Sequence, residues 1–341
     1  MKPSSLPITA CIILILALPS ATAAEEIIIN AVGDIMLAGR WTAEIRKKGY
    51  DFPFAATAVE LARGDINLAN LESPISGSGR EFTQKKFRFR AEPAVAKALR
   101  TAGFNLVTLA NNHSMDFGGE ALGETLQHLK AAGIAWVGAG NHLSEARMPV
   151  IYALKGKKVA FLGYSLTYPA EFYAGSNRPG TTPGWGTIYS EDIARARREA
   201  DYVIVTFHWG TEGSIMPRPY QRAAARKAID HGADAVIGHH PHVLQGMERY
   251  KKGIIFYSLG NFAFASTSKT ADFGALLRLR LNGTSREAEV IPLDVLSSRV
   301  RFQPRVLTGK RADAVIKKLN DLSAPFETKI QSQGGRHYLP F

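Results

Sequence analysis

Three histidines stand within four residues of one another in the segment Val236-Ile-Gly-His-His-Pro-His-Val243. A short apolar run precedes them and is typical of a buried strand. Neutral imidazole is the commonest metal ligand that proteins offer. Because side chains alternate along extended backbone, we expect His240 and His242 to share one face and His239 to face the other way. The segment therefore predicts a strand that ends in a metal-binding cluster, and other strand ends must supply the remaining ligands.

Polar side chains follow five further apolar runs that are typical of buried strands. Helical patterns separate most of these runs, which predicts an α/β core. A late apolar pair, 276–281 and 288–293, flanks Asn282-Gly283 and predicts a hairpin, so we expect a mixed sheet. Sites in α/β folds gather at the carboxyl ends of strands. The polar groups at those ends are Asp34, Glu72, Asn112-His113, His208 and Gly260-Asn261.

The candidate ligands combine carboxylate, amide oxygen and imidazole, without sulfur. This mixture suits Mn, Fe or Zn better than Mg or Ca, which prefer oxygen ligands alone. The number of donors is enough for one or two ions. Two ions about 3.5–4 Å apart can hold a phosphoryl group and activate a water molecule.

A second alternating pattern, Lys86-Phe-Arg-Phe-Arg90, predicts a short strand with Phe87 and Phe89 facing inward and the cations facing outward. No repeat or low-complexity linker interrupts the chain. We therefore expect a single domain over residues 25–341, with residues 296–341 as a C-terminal helical extension. The sequence leaves the oligomeric state open.

The N-terminus has the pattern of a secretory signal peptide over residues 1–24. Lys2 precedes an apolar run from Ile8 to Leu18, and small residues follow up to Ala24. We expect cleavage after Ala23 or Ala24 and a protein of the periplasm or the extracellular face of the membrane; the alternative is an uncleaved anchor. Cys11, the only cysteine, lies in this segment, so the mature chain would have no disulfide or thiol chemistry.

The chain is basic, with 42 Lys and Arg against 30 Asp and Glu and a net charge of +12. For an exported protein this favours an anionic partner: a polysaccharide, a polyanionic peptide or lipid headgroups. A solvated basic surface is the alternative explanation. No nucleic-acid-binding motif stands out, so nucleic acid is not an expected partner.

The order of the motifs is specific. Gly-Asp34, Asn-Leu-Glu72, Asn-Asn-His113, His208-Trp-Gly-x-Glu, Gly-His-His-Pro-His242-Val and Ser-Leu-Gly-Asn261-Phe follow one another along the chain. Over roughly residues 27–264 the chain resembles the CapA family of bacterial capsule and poly-γ-glutamate synthesis proteins. That family is similar to calcineurin-like metallophosphoesterases. The resemblance implies a metallophosphoesterase-like fold, in which helices flank a two-sheet β-sandwich.

The resemblance also implies roles for individual residues. His113 would contact phosphate or protonate the leaving group. Two positions depart from the phosphoesterase pattern: Met36 stands where Asp-x-His has its histidine, and Glu72 replaces a bridging aspartate. The implied metal ligands are Asp34, Glu72, Asn112, His208, His240 and His242. Candidates for contacts behind the ligands or with substrate are Asn111, His239, Glu212 and Asn261.

Two functions fit these observations. The first is an exported CapA-like protein that uses a metal-dependent hydrolase-type site in the biosynthesis or assembly of an anionic capsule or poly-γ-glutamate polymer, acting on the polymer or on a phosphorylated substrate. The second is a non-catalytic component that binds polymer or a partner within a membrane-bound synthesis and export complex. Met36 favours the second function, whereas the otherwise complete set of ligands favours the first.

Overall fold

Two large β-sheets form the centre of the protein. The computed structural model describes residues 25–266, 268–283 and 285–341, so the predicted signal peptide lies outside the described residues. Short 3₁₀ turns occupy Gly39–Trp41, Phe52–Thr57, Ala170–Phe172 and Ala324–Phe326. The strands are β1 (Ile27–Met36), β2 (Ile66–Leu71), β3 (Leu106–Thr108), β4 (Ala135–Val137), β5 (Ala139–Gly140), β6 (Val150–Leu154), β7 (Lys157–Ser165), β8 (Gly180–Thr181), β9 (Tyr202–His208), β10 (Ala235–His239), β11 (Met247–Tyr250), β12 (Gly253–Phe256), β13 (Asn261–Phe264), β14 (Phe273–Asn282), β15 (Ser285–Asp294), β16 (Arg305–Val306), β17 (Gln331–Gln333) and β18 (Arg336–Pro340). The helices are α1 (Thr42–Lys48), α2 (Ala58–Leu61), α3 (Ala94–Thr101), α4 (Gly118–Ala131), α5 (Leu143–Ala146), α6 (Ile188–Glu199), α7 (Pro219–Asp230), α8 (Ser297–Val300) and α9 (Gly309–Ser323).

The first sheet has the order β17-β18-β15-β14-β1-β2-β3-β4, with β13 added beside β1 and β16 beside β15. The second sheet has the order β11-β12-β10-β9-β7-β6, and β5 and β8 form a small separate pair. β1, β2 and β3 run parallel, as do β9 and β10. The predicted late hairpin is present as β14 and β15, which pair antiparallel over their whole length.

The apolar core lies between the two sheets. Ile29 and Leu68 of the first sheet pack in one cluster with Phe161 and Ile237 of the second, and all four are fully or almost fully buried. Apolar residues on the outer face of the first sheet pack against α1 to α4, and those of the second sheet against α6 and α7. Burial of each large apolar side chain in this core contributes about 1.5–3 kcal/mol to stability. The prediction of a two-sheet sandwich flanked by helices is therefore confirmed.

The predicted strand over residues 86–90 is wrong. The segment is irregular, and the side chain of Phe87 is 58% exposed instead of facing inward. The reason is that the Phe89 N–H donates to a carboxylate oxygen of Asp116 at 2.8 Å, so this backbone group bonds to a side chain and not to a neighbouring strand. The Phe and cationic residues do alternate, but within the described part of the chain none of residues 86–90 pairs with a strand.

The C-terminal segment 296–341 is not purely helical. It contains α9, whose Leu319 is buried in the cluster between the sheets, but it also contributes β16 to β18. Ala288 of β15 pairs with Leu339 of β18, so the segment extends the first sheet. The Gly334-Gly335 turn, with both residues at positive φ, forms the tight connection between β17 and β18.

No helix among residues 25–266, 268–283 and 285–341 combines the length and the apolar character needed to cross a membrane.

Candidate metal centre

Polar side chains from both sheets converge at the edge where the carboxyl ends of the parallel strands meet. Asp34 lies near the end of β1, and Glu72 directly follows β2. His208 and His239 are the last residues of β9 and β10 in the second sheet, and they lie opposite each other in register. The site thus needs both sheets, because neither contains a complete set of ligands.

The first group of donors combines Glu72, His208 and His240. One ligand atom from each lies within 4.8 Å of the other two, and all three residues are buried. Asn112 joins this group, since its Oδ1 lies 2.8 Å from His208 Nε2. The group therefore offers one carboxylate, two imidazoles and one amide oxygen.

The second group combines Asp34, Glu72 and His242, again with ligand atoms within 4.8 Å of one another. His242 Nδ1 lies 3.0 Å from Asp34 Oδ2 and 2.9 Å from Asn261 Oδ1. Glu72 belongs to both groups and is therefore placed to bridge them. The exposed carboxylate of Glu212 forms a third such group with His240 and His242.

The backbone of the histidine segment differs from the prediction. β10 ends at His239, and both His240 and His242 have positive φ, 96° and 59°. Extended alternation therefore does not place these two rings on one face. Non-glycine residues adopt positive φ only at an energetic cost, and such strain is concentrated at functional sites. His239 also does not turn away, since its Nδ1 lies 3.3 Å from Asp34 Oδ1.

Burial and mutual charge shift the pKa values of these residues in opposite directions. Burial lowers the pKa of His240 to about 3. Burial, and next the electrostatic effect of His240, lower the pKa of His208 well below its usual value. Burial also acts to lower the pKa of His242, but the carboxylates of Glu72 and Asp34 outweigh it and raise the pKa to about 9. His208 and His240 are thus held as neutral imidazoles, the form that binds metal.

The pKa values of the two carboxyl groups, Asp34 and Glu72, shift in opposite directions. Burial, and next the charge of Asp34, raise the pKa of Glu72 well above its usual range. Burial would raise the pKa of Asp34 as well, but the neighbouring rings of His239 and His242 outweigh burial and hold it well below its usual range. The rings of His239 and His242 thus separate the pKa values of the two carboxyl groups.

Asn70, which the sequence reasoning missed, connects the two carboxylates. Its Nδ2 lies 2.8 Å from Asp34 Oδ1 and 3.1 Å from Glu72 Oε2. Asn111 in turn donates its Nδ2 to Asn70 Oδ1 at 3.0 Å, which fixes the orientation of the Asn70 amide. Asn70 of β2 stands two residues before Glu72, which directly follows the strand, and this period-two spacing was the available signal.

His113 is held by two residues that the sequence reasoning also missed. Its Nδ1 lies 2.6 Å from Asp116 Oδ2, and Lys85 Nζ donates to Asp116 Oδ1 at 2.6 Å. Lys85 also bonds to the backbone carbonyl of Asn112. Burial lowers the pKa of His113 although Asp116 opposes the shift, and burial likewise lowers the pKa of Lys85. The i, i+3 spacing of His113 and Asp116 was the signal for this contact.

Met36 occupies an apolar corner beside the centre. Its side chain is buried and packs with Ala38 and Phe264, with Phe89 against the same cluster. The ring of Phe264 also lies against His242, with 4.5 Å between ring centroids. Met36 thus contributes apolar contacts at the position where the phosphoesterase pattern has a histidine.

The donors fit a divalent transition metal. Among the described residues, Glu72 Oε1, His240 Nδ1 and both ring nitrogens of His239 are buried without a hydrogen-bond partner. Such atoms are costly to bury unless a ligand satisfies them. Neutral imidazoles with carboxylate and amide oxygens are the ligands that Mn, Fe and Zn accept. The predicted ligands Asp34, Glu72, Asn112, His208, His240 and His242 all lie at this centre.

Comparisons with known proteins agree on a family. A profile for the family described as bacterial capsule synthesis protein PGA_cap matches residues 28–266. The capsule biosynthesis protein CapA of Bacillus anthracis is 36% identical over 281 residues, covering 80% of this chain and 68% of that protein. The PGA biosynthesis protein CapA of Bacillus subtilis (strain 168) is 36% identical over 270 residues, covering 77% and 70%. A probable polyglutamine synthesis accessory protein of Mycobacterium tuberculosis is 29% identical over 302 residues, covering 82% and 79%.

Solved structures are more distant. An NAD nucleotidase of Haemophilus influenzae superposes with a TM-score of 0.47 at 15% identity, covering 88% of this chain and 64% of that protein. A sulfate thiohydrolase of Thermus thermophilus gives a TM-score of 0.45 at 16% identity, covering 86% and 50%. The chain spans less than two thirds of the length of either protein.

Proposed function

Because the chain belongs to the bacterial capsule synthesis protein family PGA_cap, we propose that it takes part in the synthesis or assembly of an anionic envelope polymer of the poly-glutamate type. We further propose that it is exported and that it acts there through a metal-dependent hydrolase-type site. Its substrate would be the polymer itself or a phosphorylated precursor, and it would work beside a membrane-bound synthesis complex.

The observation that carries the proposal is the convergence of two ligand groups on a shared carboxylate. Glu72 has one oxygen without a protein partner, and this oxygen lies 3.6 Å from His208 Nε2 and 3.8 Å from His242 Nε2. When bound there, divalent ions would lower the pKa of a water molecule and polarise the bond to be cleaved. Asp34, Glu72, Asn112, His208, His240 and His242 would hold the ions.

His113 would act on the substrate. Asp116 and Lys85 engage its Nδ1, so Nε2 is the ring nitrogen available for a substrate oxygen. The pKa of His113 is lowered by burial, so the ring is mainly neutral at pH 7. Because Nδ1–H faces the Asp116 carboxylate, the neutral ring offers Nε2 as a hydrogen-bond acceptor. When protonated, the ring would donate from Nε2 and would be a comparatively strong acid for the leaving group.

A second candidate function is a non-catalytic component that binds polymer or a partner protein. The observation in its favour is that the side chain of Met36 packs in an apolar cluster, at a position where a metal ligand is expected. In that case the basic chain would bind polyanion through surface charge, and binding would weaken strongly with salt.

Metal analysis and turnover assays would test the two functions. The purified protein should contain Mn, Fe or Zn, and His240→Ala should lose metal, whereas the control His231→Ala at the end of α7 should keep it. With added Mn²⁺ we expect hydrolysis of poly-γ-glutamate or of a member of a phosphomonoester and phosphodiester panel. Metal-free protein whose stability is unchanged by chelators would refute the metal centre. Bound metal without turnover, together with salt-sensitive binding of polyglutamate, would favour the second function.

A further inference from the structure

Each of the two ligand groups obtains three donors from Asp, Glu and His. The first group has Glu72, His208 and His240, and Asn112 adds an amide oxygen as the fourth donor. The second group has three such donors. Structural transition-metal sites commonly use four protein ligands, and catalytic sites use three with a water molecule, so the second group has room for a fourth protein donor.

Strand β1 does not supply the missing donor. Met36 is two residues beyond Asp34, but its thioether is a soft ligand, whereas Mn prefers carboxylate, carbonyl and water oxygens. It is 1% exposed and packs against Ala38 and Phe264. A fourth protein donor would therefore come from another strand.

Strand β13 lies directly beside β1 at this point. The two strands pair in parallel with Asp34 opposite Asn261, and the Asp34 N–H donates to the Gly260 carbonyl at 3.1 Å. A Cβ at Gly33 would lie 1.9 Å from that same carbonyl, so only glycine permits this approach. Gly260 itself has a φ of 68°, which favours glycine. The backbone is thus arranged to bring Asn261 next to Asp34.

The side chain of Asn261 is directed at the second group. It is 1% exposed, and its Oδ1 lies 2.9 Å from His242 Nδ1, which is itself 3.0 Å from Asp34 Oδ2. Two oxygen acceptors and one ring nitrogen therefore converge, although a single N–H at Nδ1 needs only one acceptor. Asn112 stands in the same relation to the first group, with Oδ1 2.8 Å from His208 Nε2.

We propose that Asn261 is a metal ligand. Its side-chain oxygen would complete the Asp34–Glu72–His242 group, to which Met36 supplies no donor. This inference rests on the metal centre of the proposed function. It assigns two ions to each chain, with Glu72 shared and one asparagine oxygen on each ion.

Metal stoichiometry tests the assignment. The metal-free full-length protein is titrated with Mn²⁺ by equilibrium dialysis, and bound manganese is followed by electron paramagnetic resonance. Wild type should bind two ions that are magnetically coupled. Asn261→Ala should bind the second ion at least about tenfold more weakly and give the spectrum of an isolated ion. Asn67→Ala, which removes a buried amide bonded to Asn30 and Gly103, serves as the control and should still bind two.

A rescue separates ligation from mere orientation of His242. If Asn261 binds metal, adding Met36→His to Asn261→Ala supplies a new donor next to Asp34 and should restore the coupled pair. If Asn261 only oriented His242, adding Met36→His would not restore the coupled pair of ions. Should that double variant fail to fold, manganese-edge anomalous diffraction from wild-type crystals decides, with Asn261 Oδ1 expected at about 2.0–2.2 Å from an ion.

Failure of the proposed metal centre and failure of the Asn261 assignment would give different results. Wild type without bound manganese would overturn the proposed metal centre. Wild type with one ion, or Asn261→Ala with two coupled ions and unchanged affinity, would overturn only the assignment of Asn261.

Discussion

Replacing Asp116 with asparagine should destabilise the protein more than replacing Lys85, although both changes break the same ion pair. The buried carboxylate of Asp116 bonds to Lys85 Nζ at 2.6 Å, to His113 Nδ1 at 2.6 Å and to the Phe89 N–H at 2.8 Å. The side chain of Lys85 is 15% exposed. The pair is therefore largely shielded from water, and the two partners have unequal sets of other contacts.

The expected losses of stability follow from the unequal contacts of Asp116 and Lys85. Asp116→Asn leaves the Lys85 ammonium without a carboxylate, and removing one partner of a buried pair costs about 3–5 kcal/mol. Because part of Lys85 reaches solvent, we expect about 3 kcal/mol. Lys85→Met leaves Asp116 with two donors, and the loss of one charge-assisted hydrogen bond costs about 1.5 kcal/mol. The double variant should lose only about 2–3 kcal/mol, since no unpaired ammonium remains.

Chemical denaturation of the four proteins gives these free energies of unfolding directly. For a chain of this size about 3 kcal/mol corresponds to a decrease of roughly 4–5 °C in Tm. Lys97→Met, which removes an exposed lysine on α3, should change stability by less than about 0.5 kcal/mol. Losses that simply add in the double variant, to about 4.5 kcal/mol, would refute the reasoning because they would show no coupling between the two residues.

Four further substitutions and a change of pH test other parts of the fold. Hydrogen bonds from the Ser78 and Ser76 side chains and the Gly77 N–H lower the pKa of Glu124 to about 2; the contacts are thus complete above pH 4.5 and lost as the pH falls to about 2. Hydrogen-exchange protection of this loop should fall in that window, whereas Glu124→Gln should show no such transition. Gly238→Ala places a Cβ 2.0 Å from a backbone carbonyl, so soluble expression should collapse. Gly123→Ala on α4 meets nothing within 4 Å and should raise the free energy of unfolding by about 0.5–1 kcal/mol. Leu319→Ala empties a 2% exposed position on α9 and should cost about 2–5 kcal/mol by chemical denaturation.

The arrangement of strands explains why the ligands could be found from the sequence. Asp34, Glu72 and His208 each end an apolar run, and the carboxyl ends of parallel strands in both sheets meet at one edge. Run length and polarity were therefore enough to group them. The identity of the partner sheet was not needed, because the ligands that belong to β1, β2 and β9 all lie at the carboxyl ends of their strands.

The supporting residues were harder to predict because their contacts join distant segments. Lys85 reaches Asp116 from an irregular loop 31 residues away, and no periodic pattern encodes such a contact. Positive φ at His240 and His242 depends on the packing of the segment after β10, so the alternation rule failed there. The register of β13 against β1, which places Asn261 beside Asp34, is likewise set by tertiary packing.

The amide side chains would favour the anionic substrate of the proposed function. Four asparagines, at positions 70, 111, 112 and 261, contact the ligands or one another, and none adds charge to the two buried carboxylates. With the two divalent ions of the proposed centre, a charge of +4 would face −2, which leaves the site positive. Aspartates at positions 112 and 261 would cancel that excess. Amide oxygens would thus hold the ions while keeping an attractive potential for a polyglutamate carboxylate or a phosphate.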